Sequence, residues 1–381
     1  MMIYRRSSSS YFCCLKPKIK QCFPALDVLS SCQDMLADTV LKVFVWLMGI
    51  FAIVCNLVVF VYRWNVKIEK KNVPSFLILN LALADFLMGI YLISIGTADR
   101  FMQGKFAKEE KVWLHGPFCK ICGVLSSISS EMSVFTLLNM TIDRYLWIVY
   151  PFSTTKIGIK KAKIIMGSAW SIVFILFVIP AFPKEIPYFT GFYSSSSVCL
   201  PFSLSRNVNT AWLYTLCLFI ACNAVIFGLI LVLYIHMFIV IKNTKRAVQS
   251  TDALNQKRIM IQMMIIVFTD LACWLPAIIL AILTLLGVNI GARTFSYYAV
   301  LGLPINSAIN PILYTATTKS FKEKVIRPWA KSKRSSTSKS QVYSTSLGNN
   351  NSIVNGYKKA SKTLSTTIPL EIMKSKYTVQ Q

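Results

Sequence analysis

The chain has 381 residues, of which 55% are hydrophobic and 15% are charged, and its mean hydropathy is +0.55. A soluble globular domain carries about 25% charged residues, so this composition lacks the polar residues needed to cover a water-soluble protein of this size. The net charge of +26 would suit a nucleic-acid-binding protein, but the basic residues are dispersed among the ends of apolar runs. No nucleic-acid partner is therefore expected.

Residues 1–38 form a short polar head before the first apolar run. The head holds no apolar stretch of signal-peptide length. We therefore expect the first run to act as the insertion signal, or a longer N-terminal region to precede this chain. The cysteines of the head allow three pairings, all left open by the sequence: Cys13, Cys14, Cys22 and Cys32.

Seven apolar runs follow, each long enough to cross a bilayer, which takes about 20 residues. Irregular backbone cannot face lipid, so each run is predicted to be a helix. The sequence thus predicts an all-α membrane protein whose domain 39–318 is a seven-helix bundle. The predicted first to seventh spans cover residues 39–62, 75–97, 119–149, 164–183, 210–241, 259–286 and 296–316.

The distribution of Lys and Arg predicts the orientation of the bundle. The loops after the first, third and fifth spans hold roughly twice as many of these residues as the remaining loops, and basic loops stay in the cytoplasm. We expect a plasma-membrane protein with an extracellular N-terminus and a cytoplasmic C-terminus.

The segment after the seventh span divides into two parts. Residues 319–329 place Phe321, Val325 and Trp329 at helical spacing among lysines, which predicts a short amphipathic eighth helix on the inner leaflet. Residues 330–381 are rich in Ser, Thr, Lys and Asn and are predicted to be a disordered cytoplasmic tail.

Two cysteines are placed to tie an outer loop to the bundle. Cys119 begins the third span, and Cys199 is the single cysteine of the second outer loop. A bridge between them would hold that loop over the bundle, in a compartment where disulfides persist. Cys122, one turn further along, is the alternative partner for Cys199.

Asp85 is an acidic residue in the middle of the second span. A charge at a helix centre costs about 2.5–3.5 kcal/mol on insertion scales, so this carboxylate must face the bundle interior. One carboxylate among neutral oxygens suits a sodium ion, while the alternative is a carboxyl that only joins helices. The candidate partners within the spans are Asn56, Ser133, Asn306, Ser307 and Asn310.

Asp270 lies in the sixth span, one turn before Trp274 and close to Pro276. Proline removes a backbone donor and kinks a helix, so the span can swing about that point. A bond from Asp270 to Asn306 or Asn310 would hold one of two positions of the span, or would be purely structural. Glu131, in the third span, is either a ligand or loop contact or a buried structural acid.

The triplet Asp143-Arg144-Tyr145 closes the third span. Arg144 follows Cys119 by 25 residues, which is about 37 Å of helix, so one helix carries a cystine outside and an arginine inside. We expect Arg144 to pair with Asp143 at rest and to be released when the sixth span moves.

Two tyrosines are predicted to follow that movement. The seventh span ends in Asn310-Pro311-Ile312-Leu313-Tyr314, where Pro311 distorts the helix and Tyr314 can turn inward. Tyr234, near the inner end of the fifth span, is placed to do the same.

Over residues 39–329 these motifs resemble the rhodopsin-like G-protein-coupled receptors. Each motif is modest alone, but they occur in order with one set on each helix. The matching residues are Asn56, Asp85, Cys119, Asp143-Arg144-Tyr145, Trp170, Cys199, Cys273-Trp274-Leu275-Pro276 and Asn310–Tyr314.

A narrower likeness is to the leucine-rich-repeat branch, which includes the glycoprotein-hormone and relaxin receptors. Ser30–Leu36 resembles the hinge of those receptors, Phe268-Thr269-Asp270 is similar to theirs, and the fifth span has no proline. That branch carries a repeat ectodomain that captures the hormone, and 1–38 contains no such repeat. Either a longer receptor contains this chain or it is a short natural form, so the hormone is not transferred.

The resemblance implies a receptor for an extracellular peptide or protein, coupled to heterotrimeric G proteins. It implies a receptor kinase and arrestin acting on the Ser/Thr-rich tail, and contacts with membrane lipid. No catalytic group or cofactor is expected beyond an allosteric sodium ion. A transporter or channel is the competing class, but the inverted repeats and broken helices typical of transporters are not evident.

Overall fold

The computed structural model describes residues 29–65, 72–154, 156–182, 185–201, 211–244, 251–288 and 292–317, together with Cys14. Some side chains of the sixth and seventh spans, including those of 251–260 and 314–317, lie outside this description. So do the predicted helix 319–329 and the tail. The described residues form helices and connecting loops, without a strand.

The predicted bundle is confirmed, because six described helices are long and apolar enough to cross a membrane and a seventh contains the apolar segment Val300–Leu313. Each helix extends past its predicted span at one or both ends, because a helix can continue beyond the hydrocarbon core of the membrane. The spans are Thr39–Asn65, Val73–Met102, Pro117–Val149, Ile159–Val178, Trp212–Thr215 continued by Leu216–Cys222 and Asn223–Thr244, Thr251–Leu285 and Ala292–Thr317.

The bundle buries a few polar side chains within a mostly apolar interior, and its outer surface is also apolar. Asn56, Asp85 and Asp270 are fully buried, whereas Val225 and Phe268 are largely exposed on the outer surface. A charged or amide side chain is tolerated in a membrane span where it faces other helices. The acidic residues Asp85 and Asp270 therefore face the interior of the bundle, as the sequence predicts.

Glycine lets the first and second spans approach closely. A Cβ atom added to Gly89 would come within 2.9 Å of the backbone nitrogen of Ile53, and one added to Gly49 within 2.9 Å of Ile93 Cδ1. Lipid tails are as apolar as the side chains they meet, so membrane helices associate through such close packing. Polar bonds join other spans, as where Trp170 Nε1 donates to Asn80 Oδ1 at 3.0 Å.

The outer end of the bundle contains a helix that the sequence did not predict, Phe106–His115, which we call the loop helix. Its first residues bond to the end of the head, where the Phe106 amide donates to the Gln33 carbonyl at 3.1 Å. Met35 and Leu36 are fully buried. The last residues of the head therefore pack against the bundle.

The fifth span is not a regular α-helix. Residues Leu216–Cys222 form a π-helical stretch between Trp212–Thr215 and Asn223–Thr244. π-Helical stretches are rare in proteins, and those that do occur are often found at functional sites. The span contains no proline, so proline does not cause this distortion.

Candidate functional site

A network of buried polar side chains crosses the middle of the bundle. Asn310 Nδ2 donates to Asp85 Oδ2 at 3.0 Å and joins the seventh span to the second. Asn56 Nδ2 donates to the Ser307 carbonyl at 2.9 Å and joins the first span to the seventh. These bonds bring together candidates that the sequence had placed on separate helices.

Asp270 extends this network to the sixth span. Asn306 Nδ2 donates to Asp270 Oδ1 at 2.7 Å, and both side chains are buried. The sequence left Asn306 and Asn310 as alternative partners of Asp270, and in the structure Asn310 bonds to Asp85 instead.

Several buried oxygens of the spans have no hydrogen-bond partner among the described residues. Asn306 Oδ1 already accepts from the Ser307 amide at 2.7 Å and from its hydroxyl at 3.3 Å. Oxygen atoms are the ligands that hard cations prefer. Within the described part of the chain, no hydrogen bond reaches Asp85 Oδ1, Ser133 Oγ, Asp270 Oδ2 or Asn310 Oδ1.

The inner end of the third span holds its arginine in an ion pair. Arg144 Nη2 lies 2.7 Å from Asp143 Oδ2, and both residues are buried. Tyr145 Oη and His236 Nδ1 lie 3.0 Å apart in a hydrogen bond to the fifth span, a pairing that the sequence did not suggest. Arg144 is thus held by its neighbour, as the sequence predicted.

The two tyrosines expected to move, Tyr234 and Tyr314, both lie on helical backbone. Tyr234 is buried, and its hydroxyl has no hydrogen-bond partner among the described residues. The backbone of Tyr314 is helical, but its side chain lies outside the described residues. Pro276 and Pro311 both lie within continuous helices.

Glu131 meets a partner that the sequence analysis missed. Asn223 Nδ2 donates to Glu131 Oε1 at 2.9 Å, and both residues are buried between the third and fifth spans. Asn223 directly follows the π-helical stretch. Asn223 could have been identified from the sequence as an amide within an otherwise apolar run, because such a group needs a hydrogen-bond partner in the membrane.

The second outer loop is held inside the mouth of the bundle. Cys199 is disulfide-bonded to Cys119, as predicted, and Cys122 is free and buried. Tyr193 is buried, and its hydroxyl donates to the Phe177 carbonyl at 2.6 Å. A Cβ atom on Gly123 would lie 2.2 Å from Tyr193 Cδ1, so the loop packs directly against the third span.

Further bonds hold this loop from the second span and from the loop helix. Tyr91 Oη donates to the Val198 carbonyl at 2.9 Å, and Trp113 Nε1 donates to the Ser197 carbonyl at 2.7 Å. Burial raises the pKa of Tyr193 above its ordinary value, so this hydroxyl stays protonated and able to donate. The loop is therefore a packed part of the bundle.

The end of the head is attached to the same outer surface. Leu36 N donates to Asp99 Oδ1 at 2.8 Å, and Lys42 Nζ lies 2.7 Å from Asp34 Oδ2. Cys14 is disulfide-bonded to Cys32, which settles one pairing that the sequence left open. The head, the loop helix and the second outer loop thus form one surface above the spans.

Comparison with known proteins agrees with this geometry. Residues 55–314 match the 7 transmembrane receptor (rhodopsin family) model. The chain is 38% identical to G-protein coupled receptor GRL101 of Lymnaea stagnalis over 320 residues, which are 84% of the chain and 28% of that protein. It is 34% identical to human Relaxin receptor 2 over 320 residues, covering 82% of the chain and 42% of the relative.

Human Relaxin receptor 1 gives a similar result, with 34% identity over 323 residues, 84% of this chain and 42% of the relative. The chain spans less than half the length of these relatives. The matches support the leucine-rich-repeat likeness and leave the transporter or channel alternative without support. The chain belongs to the rhodopsin family of seven-transmembrane receptors, related within it to the relaxin receptors.

Proposed function

We propose that the chain transmits an extracellular peptide or protein signal to heterotrimeric G proteins across the plasma membrane. In this proposal the N-terminus is extracellular and the C-terminus is cytoplasmic, as the basic inner loops favour. The observation that carries the proposal is the pair of closed contacts along the bundle, Arg144 with Asp143 and Asp270 with Asn306. One lies at the inner surface and the other beside the proline of the sixth span.

The closed contacts define a resting state with a clear route to activation. The sixth span swings about Pro276, and the bond from Asp270 to Asn306 opposes that swing because it joins the sixth span to the seventh. When the span moves, Arg144 is released from Asp143, and Tyr234 and Tyr314 turn into the opened cleft. The cleft then accepts a Gα subunit.

The ligand acts on the outer surface formed by the head, the loop helix and the second outer loop. The loop is packed where a small molecule would have to enter, so a peptide or protein that contacts the loop from above suits this geometry better. Relatives named as relaxin receptors make a relaxin-like hormone the first candidate. A ligand shifts the equilibrium only by its differential affinity for the two states.

A sodium ion suits the network beneath this surface. Asp85, Ser133 and Asn310 would hold it, because each has a buried oxygen that no described residue bonds. Asn306 and Ser307 complete the wall of the site, but their side chains already bond to each other. Bound sodium would supply positive charge beside Asp85 and so favour the closed network.

The tail is proposed to end the signal. Ser335–Ser346 is rich in hydroxyl residues, and each phosphate that a receptor kinase adds brings nearly two negative charges to a basic segment. That change suits recruitment of arrestin. These residues lie outside the described part of the chain, so the proposal rests on their sequence.

Nucleotide exchange on purified Gα subunits tests the proposal without an identified hormone. The full chain is placed in nanodiscs, with its basal activity raised by Asp270→Ala, and compared with the same chain carrying Arg144→Ala. We expect the second change to abolish exchange at equal receptor quantity, because no cation then remains at the inner end of the third span to meet Gα. Arg100→Ala, at the opposite end of the bundle, is the matched control, and exchange that survives the loss of Arg144 contradicts the mechanism.

A further inference from the structure

A groove runs between the fifth and sixth spans on the surface that faces the hydrocarbon. It encloses a cavity of about 200 Å³. Ile230 and Val267 form its buried floor, and Leu231 and Phe268 form its exposed rim. Apart from Tyr234, whose hydroxyl is buried, the lining side chains are all apolar, so the groove suits a hydrocarbon chain.

The length of the groove and its position along the spans match one leaflet of the bilayer. Its lining runs along the fifth span from Phe227 to Phe238, which is about 16 Å of helix and about half of the 30 Å hydrocarbon core. The lining residues of the sixth span, from Met264 to Leu271, all precede Pro276. The groove therefore lies in the half of the bundle that ends at the inner surface.

A positive charge stands where the groove reaches that surface. Lys242 follows Phe238 by one helical turn and is exposed. Within the described ranges no ion pair joins Lys242 to another residue. The cytoplasmic leaflet carries anionic lipids, which attract basic side chains near the membrane surface.

We propose that the groove holds one acyl chain of an anionic phospholipid of the cytoplasmic leaflet, with the headgroup of that lipid against Lys242. A single flexible chain suits an apolar groove of this length, and a sterol carries no charge to meet the lysine. The assignment to the cytoplasmic leaflet rests on the orientation given under the proposed function.

The position of the groove makes this lipid a regulator of the receptor. One wall belongs to the fifth span, and the other belongs to the part of the sixth span that moves about Pro276. The width of the groove therefore differs between the resting and active states. A lipid that fits one width better shifts the equilibrium toward that state.

The test uses the purified full chain in nanodiscs of phosphatidylcholine, phosphatidylserine and cholesterol, followed by extraction in mild detergent. Mass spectrometry then measures which lipids stay bound. Leu231→Trp fills the groove, and Leu229→Trp is its matched control, since the two leucines are 46% and 44% exposed but only Leu231 lines the groove. Lys242→Ala and Lys242→Arg test the headgroup contact in a groove left intact.

We expect the unmodified chain and Leu229→Trp to retain phosphatidylserine in preference to the other lipids. Leu231→Trp is expected to lower retention about tenfold or more, because each displaced methylene weakens binding severalfold. Lys242→Ala should remove the preference for phosphatidylserine, and Lys242→Arg should keep it. Equal retention in the two tryptophan variants overturns the proposal, as does retention of cholesterol or phosphatidylcholine in place of phosphatidylserine.

This measurement is separate from signalling. Lipid retention is recorded without a G protein, so a chain that failed to activate Gα would still give the expected lipid result. If the lysine variants leave the lipid preference unchanged while Arg144→Ala abolishes exchange, the lipid proposal fails and the proposed function stands.

Discussion

Removal of the bond between Asp270 and Asn306 should raise the basal activity of the receptor. The bond is 2.7 Å long and fully buried, and it joins the sixth span to the seventh. A hydrogen bond contributes about 0.5–1.5 kcal/mol between neutral groups and about 1.5–3 kcal/mol where one group is charged. Since about 1.4 kcal/mol is a tenfold change in an equilibrium constant, Asp270→Ala should shift the closed-to-open equilibrium by roughly 2- to 100-fold.

Asp270→Asn should give a smaller effect, because its amide oxygen can still accept from Asn306. Bonds to charged partners are about twice as strong as neutral ones, so the expected shift is at most roughly tenfold. The assay is basal nucleotide exchange on purified Gα at equal receptor quantity. Thr269→Ala is the control, since the Thr269 hydroxyl bonds to the Ile266 carbonyl within its own helix, and no rise is expected.

A double-mutant cycle assigns the effect to this bond. Asn306→Ala alone should raise exchange to a level similar to Asp270→Ala, and the two changes together should add little, because residues that share one bond are not additive. Full additivity would show that Asp270 acts through another partner. Basal exchange unchanged by all three variants would refute the role of this bond as a restraint on the sixth span.

Three other predictions concern sodium, the disulfide and the tail. Raising sodium should lower basal exchange in the unmodified chain but not in Asp85→Asn, which lacks the charge that attracts the ion; a sodium response of equal size in both would place the ion elsewhere. Cys199→Ala should destabilise the chain by about 2–5 kcal/mol in thermal unfolding, whereas Cys122→Ala, whose thiol is free, should have little effect; equal losses would mean that the bridge has no special role. Truncation before residue 330 should abolish arrestin binding to the Asp270→Ala chain while nucleotide exchange persists, and unchanged arrestin binding would contradict the role given to the tail.

The number and order of the spans were predictable because a single physical requirement dominates them. Every run of about 20 apolar residues must become a helix in hydrocarbon. The buried positions of Asp85 and Asp270 follow from the same requirement, since neither carboxylate can face lipid. These features depend on composition along one helix, which the sequence contains in full.

The pairing of side chains across helices was predictable only in part. Asn306 and Asn310 are one turn apart on the same helix, so either could have reached Asp270 or Asp85. The relative depth of the sixth and seventh spans decides between them, and that depth is set by packing among all the helices. The same limit hid the contact of Glu131 with Asn223.

The outer surface was the least predictable part. The loop helix mixes charged and aromatic residues over ten positions, without the long apolar run that identifies a span. The burial of Met35 and Leu36 depends on contacts with residues far along the chain, such as Asp99. Structure of this kind arises from tertiary contacts, and local sequence contains little sign of it.

The π-helical stretch of the fifth span determines the direction in which all later side chains of that span point around the helix axis. Each residue of an α-helix advances the side-chain direction by about 100°, and a π turn takes up one residue more than an α turn. Before the stretch, Thr215 bonds to the carbonyl of Pro201; after it, Asn223 faces Glu131 and Tyr234 faces inward. Deleting one residue from Leu216–Cys222 would restore a regular helix and turn both later side chains away together, so the mouth of the receptor and its inner surface share one rotational alignment.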